Sequence, residues 1–387
     1  MPFFKRDLKL ADSTFFLFGP RGTGKSTWLK HEVKADLFIN LLRSQDFLRF
    51  SQHPEELGEL VNANPNWRKV IVDEIQKAPQ LLDEIHALIF ETNKKIQFIL
   101  TGSSARKLKK ENVNLLAGRA LVRKFHPLCA VELGKVFNVN KALTFGLLPE
   151  VWTLDNESSI KDYLFSYVET YLREEIQQEA LIRNIPAYSK FLEHMALRNS
   201  HVINLQNLSG EIGVARTTLT GYLQILQDTL LGFLLPPIQL RAKVKEIATP
   251  KFYFFDPGVV RALALVLDEP LGSLQGAQLE SYVYHELLTF SDYHQKRWDF
   301  AYWATPSKTE VDFIVSSGRK NIGIEVKSST HWDKDFSYGL NVLLKDAKIE
   351  KAYGIYLGEE LIRKGDVLVI PAKEFSKFLR TKDLFDV

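Results

Sequence analysis

Short apolar runs alternate with helix-like segments over residues 13 to 130 of the chain. Residues 14–18, 69–75 and 96–104 are rich in Val, Ile, Leu and Phe, and each run predicts a buried strand. Residues 79–90 place their leucines and isoleucines at the spacing of one helical face. Strands that alternate with helices are typical of a parallel sheet covered on both faces, so the pattern predicts a three-layer α/β domain.

The alternation stops after Pro127, and helical spacing dominates residues 131–200, as in the tyrosine-rich stripe of residues 160–179. Residues 205–226 then hold two short helical patterns separated by Gly213, which predicts a helix-turn-helix. Residues 251–255 are expected to follow as a wing or an adjoining strand.

Two further stretches of this middle region have local interpretations. Residues 222–240 form the most apolar long stretch, but Gln224, Gln227 and Asp228 interrupt it. We interpret it as a buried helix and not as a membrane span. The Asp-Pro-Gly sequence at residues 256–258 is interpreted as a turn.

The last third of the chain has a mixed pattern. Residues 278–290 have helical periodicity, and residues 298–304 predict a strand. Residues 309–315 alternate between apolar and polar positions, a Ser-Ser-Gly turn follows, and residues 321–328 predict the next strand. A helix followed by strands in a hairpin predicts an α+β region.

Length and composition limit the number of domains and the class of protein. A chain of 387 residues is long enough for about two or three domains. Its 45% hydrophobic and 25% charged residues are typical of a soluble globular protein, and a net charge of +3 does not by itself indicate a nucleic-acid partner. The single cysteine, Cys129, excludes an internal disulfide and fits a reducing compartment. We therefore expect a cytoplasmic protein that does not enter a membrane.

A glycine-rich loop lies between the first predicted strand and a helical segment at residues 26–32. It fits the phosphate-loop pattern G-x-x-x-x-G-K-[ST] and comprises Gly19, Pro20, Arg21, Gly22, Thr23, Gly24, Lys25, Ser26 and Thr27. Glycines let backbone N–H groups approach phosphates, and the helix N-terminus adds its dipole. Lys25 would contact the β- and γ-phosphates, and the Ser26 hydroxyl would bind Mg²⁺. The loop therefore predicts ATP and Mg²⁺ as ligands.

The next two strands end in polar residues. Asp73 and Glu74 end one of them, where Asp73 would hold Mg²⁺ and Glu74 would polarise the attacking water. Thr101 and Ser103 lie at the end of the other, the edge at which parallel sheets bind ligands. Either residue could sense the γ-phosphate or simply belong to a strand-end turn.

These motifs together resemble a known family. GPRGTGKSTWL, VIVDEIQKAP, FILTGSSARKL and NLLAGRA, in this order and spacing, resemble segments of a prokaryotic AAA+-type ATPase family. Its members carry a C-terminal domain described as of unknown function, and the resemblance covers the whole chain. It implies that Arg119 contacts the γ-phosphate, either in its own subunit or in a neighbouring subunit. Only the second arrangement would require a homo-oligomer. A surface salt bridge is the alternative for Arg119. A basic run precedes it and is either a solvated face or a phosphate contact: Arg106, Lys107, Lys109 and Lys110.

Carboxylates and a lysine recur in the C-terminal strands. Glu325 and Lys327 lie two residues apart and thus on one face of their strand. A short turn between antiparallel strands would place Asp312 beside Glu325, and this pair would bind Mg²⁺ or Mn²⁺. Lys327 would orient or deprotonate a water, and Glu280, in the preceding helix, could complete the metal site.

This arrangement resembles the PD-(D/E)xK core of restriction-type endonucleases, with Asp312, then Glu325-Val-Lys327, and Glu280 as the helix carboxylate. No proline precedes Asp312, which departs from that pattern. The resemblance implies a restriction endonuclease-like fold and metal-dependent cleavage of DNA. The alternative is an exposed hairpin with solvated charges.

The second helix of the helix-turn-helix offers polar residues to a DNA groove: Arg216, Thr217, Thr218 and Thr220. One arginine among threonines supplies little positive charge for DNA binding. The helix-turn-helix could equally serve only to pack against the rest of the protein.

Three domains are predicted. Residues 1–134 form a parallel-sheet P-loop AAA+-type ATPase domain, residues 135–264 a helical region with a winged helix-turn-helix, and residues 265–387 a PD-(D/E)xK nuclease-like α+β domain. The predicted protein binds and hydrolyses ATP and acts on DNA through a metal-dependent nuclease-like site. The alternative is a nucleotide-switched regulator that binds DNA or protein and cuts nothing.

Overall fold

The computed structural model describes residues 3–92, 95–103, 118–172, 184–240 and 245–386. The basic run at residues 106–110 and the end of the predicted helix at residues 160–179 lie outside these ranges. The chain divides into two compact units. The N-terminal unit consists of residues 5–126 with residues 228–230, and the C-terminal unit contains the rest.

A five-stranded parallel sheet forms the centre of the N-terminal unit. Its strands are β1 (Phe15–Phe18), β2 (Leu37–Asn40), β3 (Lys69–Asp73), β4 (Gln97–Gly102) and β5 (Leu121–Lys124), in the order β2-β3-β4-β1-β5. The helices are α1 (Lys25–Glu32), α2 (Ser44–Gln52), α3 (Glu56–Ala63) and α4 (Leu81–Glu91), with a 3₁₀ turn at Ile75–Lys77. This confirms the predicted parallel α/β sheet.

The strand order brings the predicted nucleotide residues to one edge of this sheet. β1, β3 and β4 are almost entirely buried, as expected of central parallel strands. β4 lies between β1 and β3. Since all these strands run in the same direction, their carboxyl ends meet at one edge, where α/β sheets bind ligands.

The C-terminal unit begins with helices. They are α5 (Ala130–Leu133), α6 (Val139–Phe145), α7 (Glu157–Ser166), which continues as a π-helix over Tyr167–Leu172, α8 (Ile185–Leu197), α9 (Leu205–Ile212) and α10 (Arg216–Asp228). Short 3₁₀ turns lie at Gly134–Val136 and Pro149–Trp152. The two helices predicted around Gly213 are present, and this glycine has a φ of 80°, as a helix C-terminus in the left-handed conformation requires.

Two local predictions in this region are wrong. The apolar stretch at residues 222–240 is not one helix, because α10 ends at Asp228 and β6 occupies Gly232–Leu235. Leu230 has a φ of 59°, and the N–H of Leu231 donates back to Leu226, so the chain leaves the helix through a left-handed residue. The segment at residues 256–258 is the start of a helix, α11 (Pro257–Leu263), and not a turn.

The cause of the second error is a helix-start signal. Asp256 is the N-cap residue and accepts a 3.0 Å hydrogen bond from the N–H of Val259. Pro257 occupies the first helical position, where its missing N–H costs nothing. β7 (Lys251–Phe254) precedes this helix and pairs antiparallel with β6.

A mixed six-stranded sheet completes the unit. Helix α12 (Gln275–Tyr293) leads into β8 (Asp299–Ala304), β9 (Glu310–Ser317), β10 (Lys320–Lys327), α13 (Tyr338–Lys345), β11 (Lys351–Tyr356), β12 (Ile362–Lys364), β13 (Val367–Pro371) and α14 (Ala372–Thr381). Short 3₁₀ turns lie at Gly272–Leu274 and Lys334–Ser337. The order is β12-β13-β11-β10-β9-β8, with β8, β9 and β10 antiparallel to one another. The predicted helix and hairpin are thus present.

A hydrophobic core whose members extend along the chain from Leu128 to Phe385 belongs to the C-terminal unit, and a second cluster, from Trp303 to Val369, lies in the same unit. The predicted boundary between residues 264 and 265 falls inside this unit, so the division into three domains stays a prediction. Among the helices of the described ranges, none has the length and apolar character that a bilayer crossing requires.

Candidate functional site

The phosphate loop connects β1 to α1 and folds around its own lysine. Gly24, with a φ of 90°, directly precedes the helix, a conformation that favours glycine. Lys25 is buried, and its ammonium donates to the carbonyl oxygens of Gly19, at 2.6 Å, and Pro20, at 3.0 Å. The loop therefore holds a buried cation beside its backbone, where a phosphate could replace the carbonyl partners.

Gly19 is required by the close approach of another backbone segment. A Cβ atom at this position would lie 2.1 Å from the carbonyl oxygen of Phe125. The Gly19 N–H also donates to the Gly102 carbonyl, at 3.3 Å, at the end of β4. The first residue of the loop is thus fixed between the ends of two neighbouring strands.

Arg6 supports the loop from outside the motif. Its guanidinium donates to the carbonyl oxygens of Thr23, at 2.8 Å, and His126, at 2.5 Å, and it lies over the ring of Phe125. Arg6 is itself buried. Sequence reasoning missed this residue, because it precedes the first strand and belongs to no motif.

The carboxylates predicted for this site lie at the end of β3, and the predicted Thr101 lies at the end of β4. The Thr101 hydroxyl donates to the Asp73 carboxylate and accepts a 3.2 Å hydrogen bond from the Glu74 N–H. All three residues are buried. The structure thus brings together Asp73, Glu74 and Thr101, which the sequence placed in two separate strands.

Glu74 has an unusual backbone conformation. Its φ is 63°, a left-handed value that costs a non-glycine residue about 1–3 kcal/mol. Its carboxylate accepts a 2.5 Å hydrogen bond from the amide of Gln76, which also lies 3.4 Å from the Ser103 hydroxyl. Sequence reasoning missed Gln76, although a polar residue two positions after the carboxylate pair was a signal that could have found it.

Several other predicted nucleotide residues are more accessible, while Pro20, Thr23 and Ser103 are buried. Ser26 and Arg21 are half-buried, while Gly22 and Thr27 are exposed. Arg119 is also exposed, and its guanidinium contacts the ring of His86 in α4. This contact was not predicted. The contact of Arg119 with the γ-phosphate therefore stays a prediction.

A second group of charged residues lies on the hairpin of β9 and β10. Asp312 accepts a 2.8 Å hydrogen bond from the N–H of Val326, which lies between Glu325 and Lys327. Glu325 is buried, and one of its oxygens pairs with the ammonium of Lys327. The other oxygen, Oε2, is buried without a hydrogen-bond partner. The hairpin thus brings the three predicted residues together.

Lys251, in β7, lies within the same group. Its ammonium lies 2.9 Å from Glu280 and 3.6 Å from Asp312, and it also contacts Glu310. The Tyr253 hydroxyl donates to the same Glu280 oxygen that Lys251 contacts. Sequence reasoning missed Lys251 and Tyr253, the partners of Glu280, and it also missed Glu310, a further contact of Lys251. The two-residue spacing of Lys251 and Tyr253 on one strand face was the signal for two of them.

Burial and mutual charge set the proton affinity of this group. Burial raises the pKa of Glu280 to about 7, with the Lys251 ammonium opposing and Asp312 adding to the shift. Burial, and then the charge of Asp312, raise the pKa of Glu325 well above its usual value. Burial alone would lower the pKa of Lys251, but Glu280, Asp312 and Glu310 outweigh it and raise that pKa. The carboxylates thus stabilise the positive charge of Lys251.

The fit of a metal ion to this group is partial. Within the described ranges, no three His, Cys, Asp or Glu side chains are grouped as a metal centre would need. The predicted set is divided, since Glu280 is engaged by Lys251 and Tyr253. The pair that could still hold a divalent ion is Asp312 and Glu325, because Glu325 Oε2 has no hydrogen-bond donor.

The helix-turn-helix presents its predicted surface to solvent. The residues of α10 that were expected to meet DNA are all exposed: Arg216, Thr217, Thr218 and Thr220. Leu219, between them, is buried. The helix thus packs through its apolar positions and leaves one short polar face available.

Comparison with protein-family models gives three consecutive matches. Residues 11–134 match an AAA domain. Residues 136–270 match the domain of unknown function DUF8612, and residues 275–375 match the domain of unknown function DUF4143. The N-terminal region is therefore an AAA-type P-loop domain, as predicted.

Similar proteins span nearly the whole chain. An uncharacterized protein of Mycobacterium tuberculosis is 25% identical over 367 residues, covering 92% of this chain and 80% of that protein. An uncharacterized protein of Methanocaldococcus jannaschii is 24% identical over 337 residues, covering 79% and 73%. Their names describe no activity.

Solved structures give weaker matches. The replication initiator DnaA bound to AMPPCP and single-stranded DNA covers 57% of this chain, with 83% of that chain matched, a TM-score of 0.25 and 15% identity. A protein from Vibrio cholerae covers 88% of this chain, with 95% of that chain matched, a TM-score of 0.23 and 14% identity. With TM-scores of this size, neither match supports a conclusion about this chain.

Proposed function

We propose that this protein binds ATP at the phosphate loop and hydrolyses it. The observation that carries the proposal is that β1, β3 and β4 end at one sheet edge, with Asp73, Glu74 and Thr101 hydrogen-bonded there. Lys25 would exchange its carbonyl partners for the β- and γ-phosphates, and Glu74 would orient the attacking water. Mg²⁺, held by Ser26 and Asp73, would neutralise phosphate charge when bound.

ATP hydrolysis by the full-length protein tests this proposal. Lys25→Ala should abolish turnover, because it removes the cation that meets the phosphates. Lys30→Ala is a matched control, since Lys30 is an exposed lysine in the same helix. If Lys25→Ala hydrolyses ATP at the wild-type rate, the assignment of the loop is wrong.

For the C-terminal unit, we propose hydrolysis of DNA phosphodiester bonds. The supporting observation is the buried, unpartnered Oε2 of Glu325, on a hairpin that also holds Asp312 and Lys327. Asp312 and Glu325 would hold one Mg²⁺ or Mn²⁺ ion, and Lys327 would orient the attacking water. In this assignment Glu280 is a partner of Lys251 and not a metal ligand.

Cleavage of plasmid and single-stranded DNA with Mg²⁺ or Mn²⁺, with and without ATP, tests the second part. Asp312→Ala should lose cleavage and keep ATP hydrolysis. Glu350→Ala, which removes an exposed carboxylate elsewhere in the unit, should lose neither. Cleavage that survives in Asp312→Ala would assign it to another site or to a contaminant.

The alternative function is a nucleotide-switched regulator that binds DNA or protein without cutting. The observation that favours it is the exposed polar face of α10, with Arg216 and Thr220 on the surface. Tight DNA binding that depends on ATP and is weakened by Arg216→Ala, without any cleavage by the wild type, would support this alternative.

Arg119 is assigned to the γ-phosphate, in its own subunit or in a neighbour. Its exposure supports either arrangement. Mixing Arg119→Ala with Lys25→Ala distinguishes them, because hydrolysis returns only if one subunit supplies Arg119 to the loop of another. Such a result would also show a homo-oligomer. A cytoplasmic location, which the reduced and buried Cys129 fits, completes the proposal.

A further inference from the structure

The ammonium of Lys251 lies among the carboxylates of the C-terminal site, at a position that a bound cation could occupy. Three carboxylates surround it: Glu280 at 2.9 Å, Asp312 at 3.6 Å, and Glu310 in direct contact. The ring of Tyr302 lies on another side, with its centroid 5.3 Å from the nitrogen. Lys251 is only 4% exposed. A single buried ammonium is therefore shared by three carboxylates.

A purely structural ion pair would not need this arrangement. One carboxylate suffices to neutralise a buried lysine, and each further carboxylate adds a desolvation cost. The remaining lysine of the group, Lys327, forms its ion pair with Glu325. The desolvation cost of all three carboxylates is therefore offset by a single cation, the ammonium of Lys251.

When all of its carboxylates are ionised, the group carries a negative charge that one divalent ion would offset. Four carboxylates (Glu280, Glu310, Asp312 and Glu325) and two lysines (Lys251 and Lys327) have a net formal charge of −2 when all are ionised. One oxygen, Glu325 Oε2, is buried and unpartnered. Glu325 is not among the carboxylates that form ion pairs with Lys251.

We propose that Lys251 is a resident cation of this site and occupies the position of a second metal ion. The C-terminal site then takes one divalent ion, at Asp312 and Glu325, while Glu280 and Glu310 bind the ammonium. Because the ammonium shares Asp312 with the divalent ion, Lys251 also limits the affinity of the site for metal. This inference rests on the metal site proposed above.

Mn²⁺ binding tests the inference without any measurement of activity. Full-length variants are titrated with Mn²⁺ in the absence of nucleotide, and free Mn²⁺ is followed by its electron paramagnetic resonance signal. Asp312→Ala serves as the reference that lacks the C-terminal site, so any binding at the phosphate loop is subtracted. Lys251→Met removes the ammonium at similar volume, and Lys251→Arg keeps a cation at the same position.

The expected result is one Mn²⁺ for the wild type and for Lys251→Arg, relative to Asp312→Ala. Lys251→Met should bind two Mn²⁺ ions, or one with at least about tenfold higher affinity, since three carboxylates lose their cation. Identical binding by Lys251→Met and the wild type would overturn the inference, as would two ions in the wild type or loss of binding in Lys251→Met.

Failure of the proposed metal site gives a different pattern. If the wild type binds no Mn²⁺ but Lys251→Met does, the metal site is wrong while the role of Lys251 as resident cation stands. If neither binds Mn²⁺, both are wrong.

Should Lys251→Met not fold, Glu310→Gln provides the test. Glu310 is at the accessible edge of the group, with a side chain that is 39% exposed. If it holds Lys251 and not the metal, Mn²⁺ affinity should stay within about threefold of the wild type, which corresponds to less than about 1 kcal/mol. A fall of tenfold or more would make Glu310 a metal ligand and overturn the inference.

Discussion

The guanidinium of Arg6 donates a hydrogen bond of 2.8 Å to the carbonyl oxygen of Thr23, in the middle of the phosphate loop. Its second branch donates to His126, at the end of the segment that follows β5. The buried guanidinium of Arg6 therefore links the phosphate loop to the backbone that follows β5. Arg6 belongs to the support of the loop and not to its phosphate-binding surface.

Arg6→Ala should weaken ATP binding and lower the free energy of unfolding by about 2 kcal/mol, since hydrogen bonds from a buried charged donor are lost. Arg6→Lys should recover little, because an ammonium cannot reproduce the fork that reaches both carbonyl oxygens. Calorimetric titration with ATP and urea unfolding measure the two effects. Lys9→Ala, at an exposed lysine three residues later, is the control, and equal ATP affinity in the two alanine variants would contradict this role.

Gln76 should affect the rate of hydrolysis and not the affinity for ATP. Its amide holds the Glu74 carboxylate at 2.5 Å, so Gln76→Leu leaves that carboxylate without its orienting donor. We expect kcat to fall by about 10- to 100-fold, the size of the effect of a small misplacement of a catalytic group. Steady-state kinetics and ATP titration separate the two quantities.

Gln80→Leu is the matched control for this variant. The Gln80 amide donates instead to the Ser51 carbonyl, at 3.0 Å, so its loss should leave kcat unchanged. An unchanged kcat in Gln76→Leu would show that Glu74 does not depend on Gln76 for its position.

The sequence predicted the elements that repeat a simple pattern. Buried strands such as β3 and β4, and the loop between β1 and α1, follow from local composition and spacing. Arg6 and Gln76 did not, since their roles depend on contacts with distant backbone or with a left-handed Glu74. The polar residue at position 76 is visible in the sequence, but its contact with Glu74 is visible only in the structure.

The C-terminal site illustrates the same limit. The hairpin spacing placed Asp312 beside Glu325 correctly, because the strand period and a short turn determine that pairing. Lys251 reaches the same carboxylates from a strand 61 positions earlier than Asp312. The spacing of Lys251 and Tyr253 places both on one face of β7, but no periodicity links β7 to β9, so only the tertiary structure shows that Lys251 meets Asp312.

Two glycines in helices should respond in opposite directions to alanine. Gly221, within α10, has open space where a Cβ would lie, and Gly221→Ala should stabilise the protein by about 0.5–1 kcal/mol. At Gly258, in α11, a Cβ would lie 2.0 Å from the Phe145 carbonyl oxygen, and Gly258→Ala should cost about 1–3 kcal/mol. Urea unfolding measures both, and a stable Gly258→Ala variant would contradict the close packing of α11 on α6.

Asp256 should make stability depend on pH. The buried carboxylate accepts hydrogen bonds from Leu147, at 2.6 Å, and Val259, at 3.0 Å, yet burial raises its pKa from 3.8 to about 6. The folded protein thus binds this proton more tightly than the unfolded chain. The contribution of Asp256 is fully present below about pH 4 and is lost as the pH rises through about 6, in total about 3 kcal/mol.

Asp256→Asn isolates this contribution, because asparagine keeps an N-cap acceptor but cannot ionise. Other buried carboxylates, such as Glu280 with a pKa of about 7, titrate in both proteins and cancel in the difference. Urea unfolding at pH 4.5 and pH 7 should therefore show the wild type losing about 2 kcal/mol more than the variant over this interval. Parallel pH dependences of the two proteins would mean that the carboxyl of Asp256 keeps an ordinary pKa in the folded state.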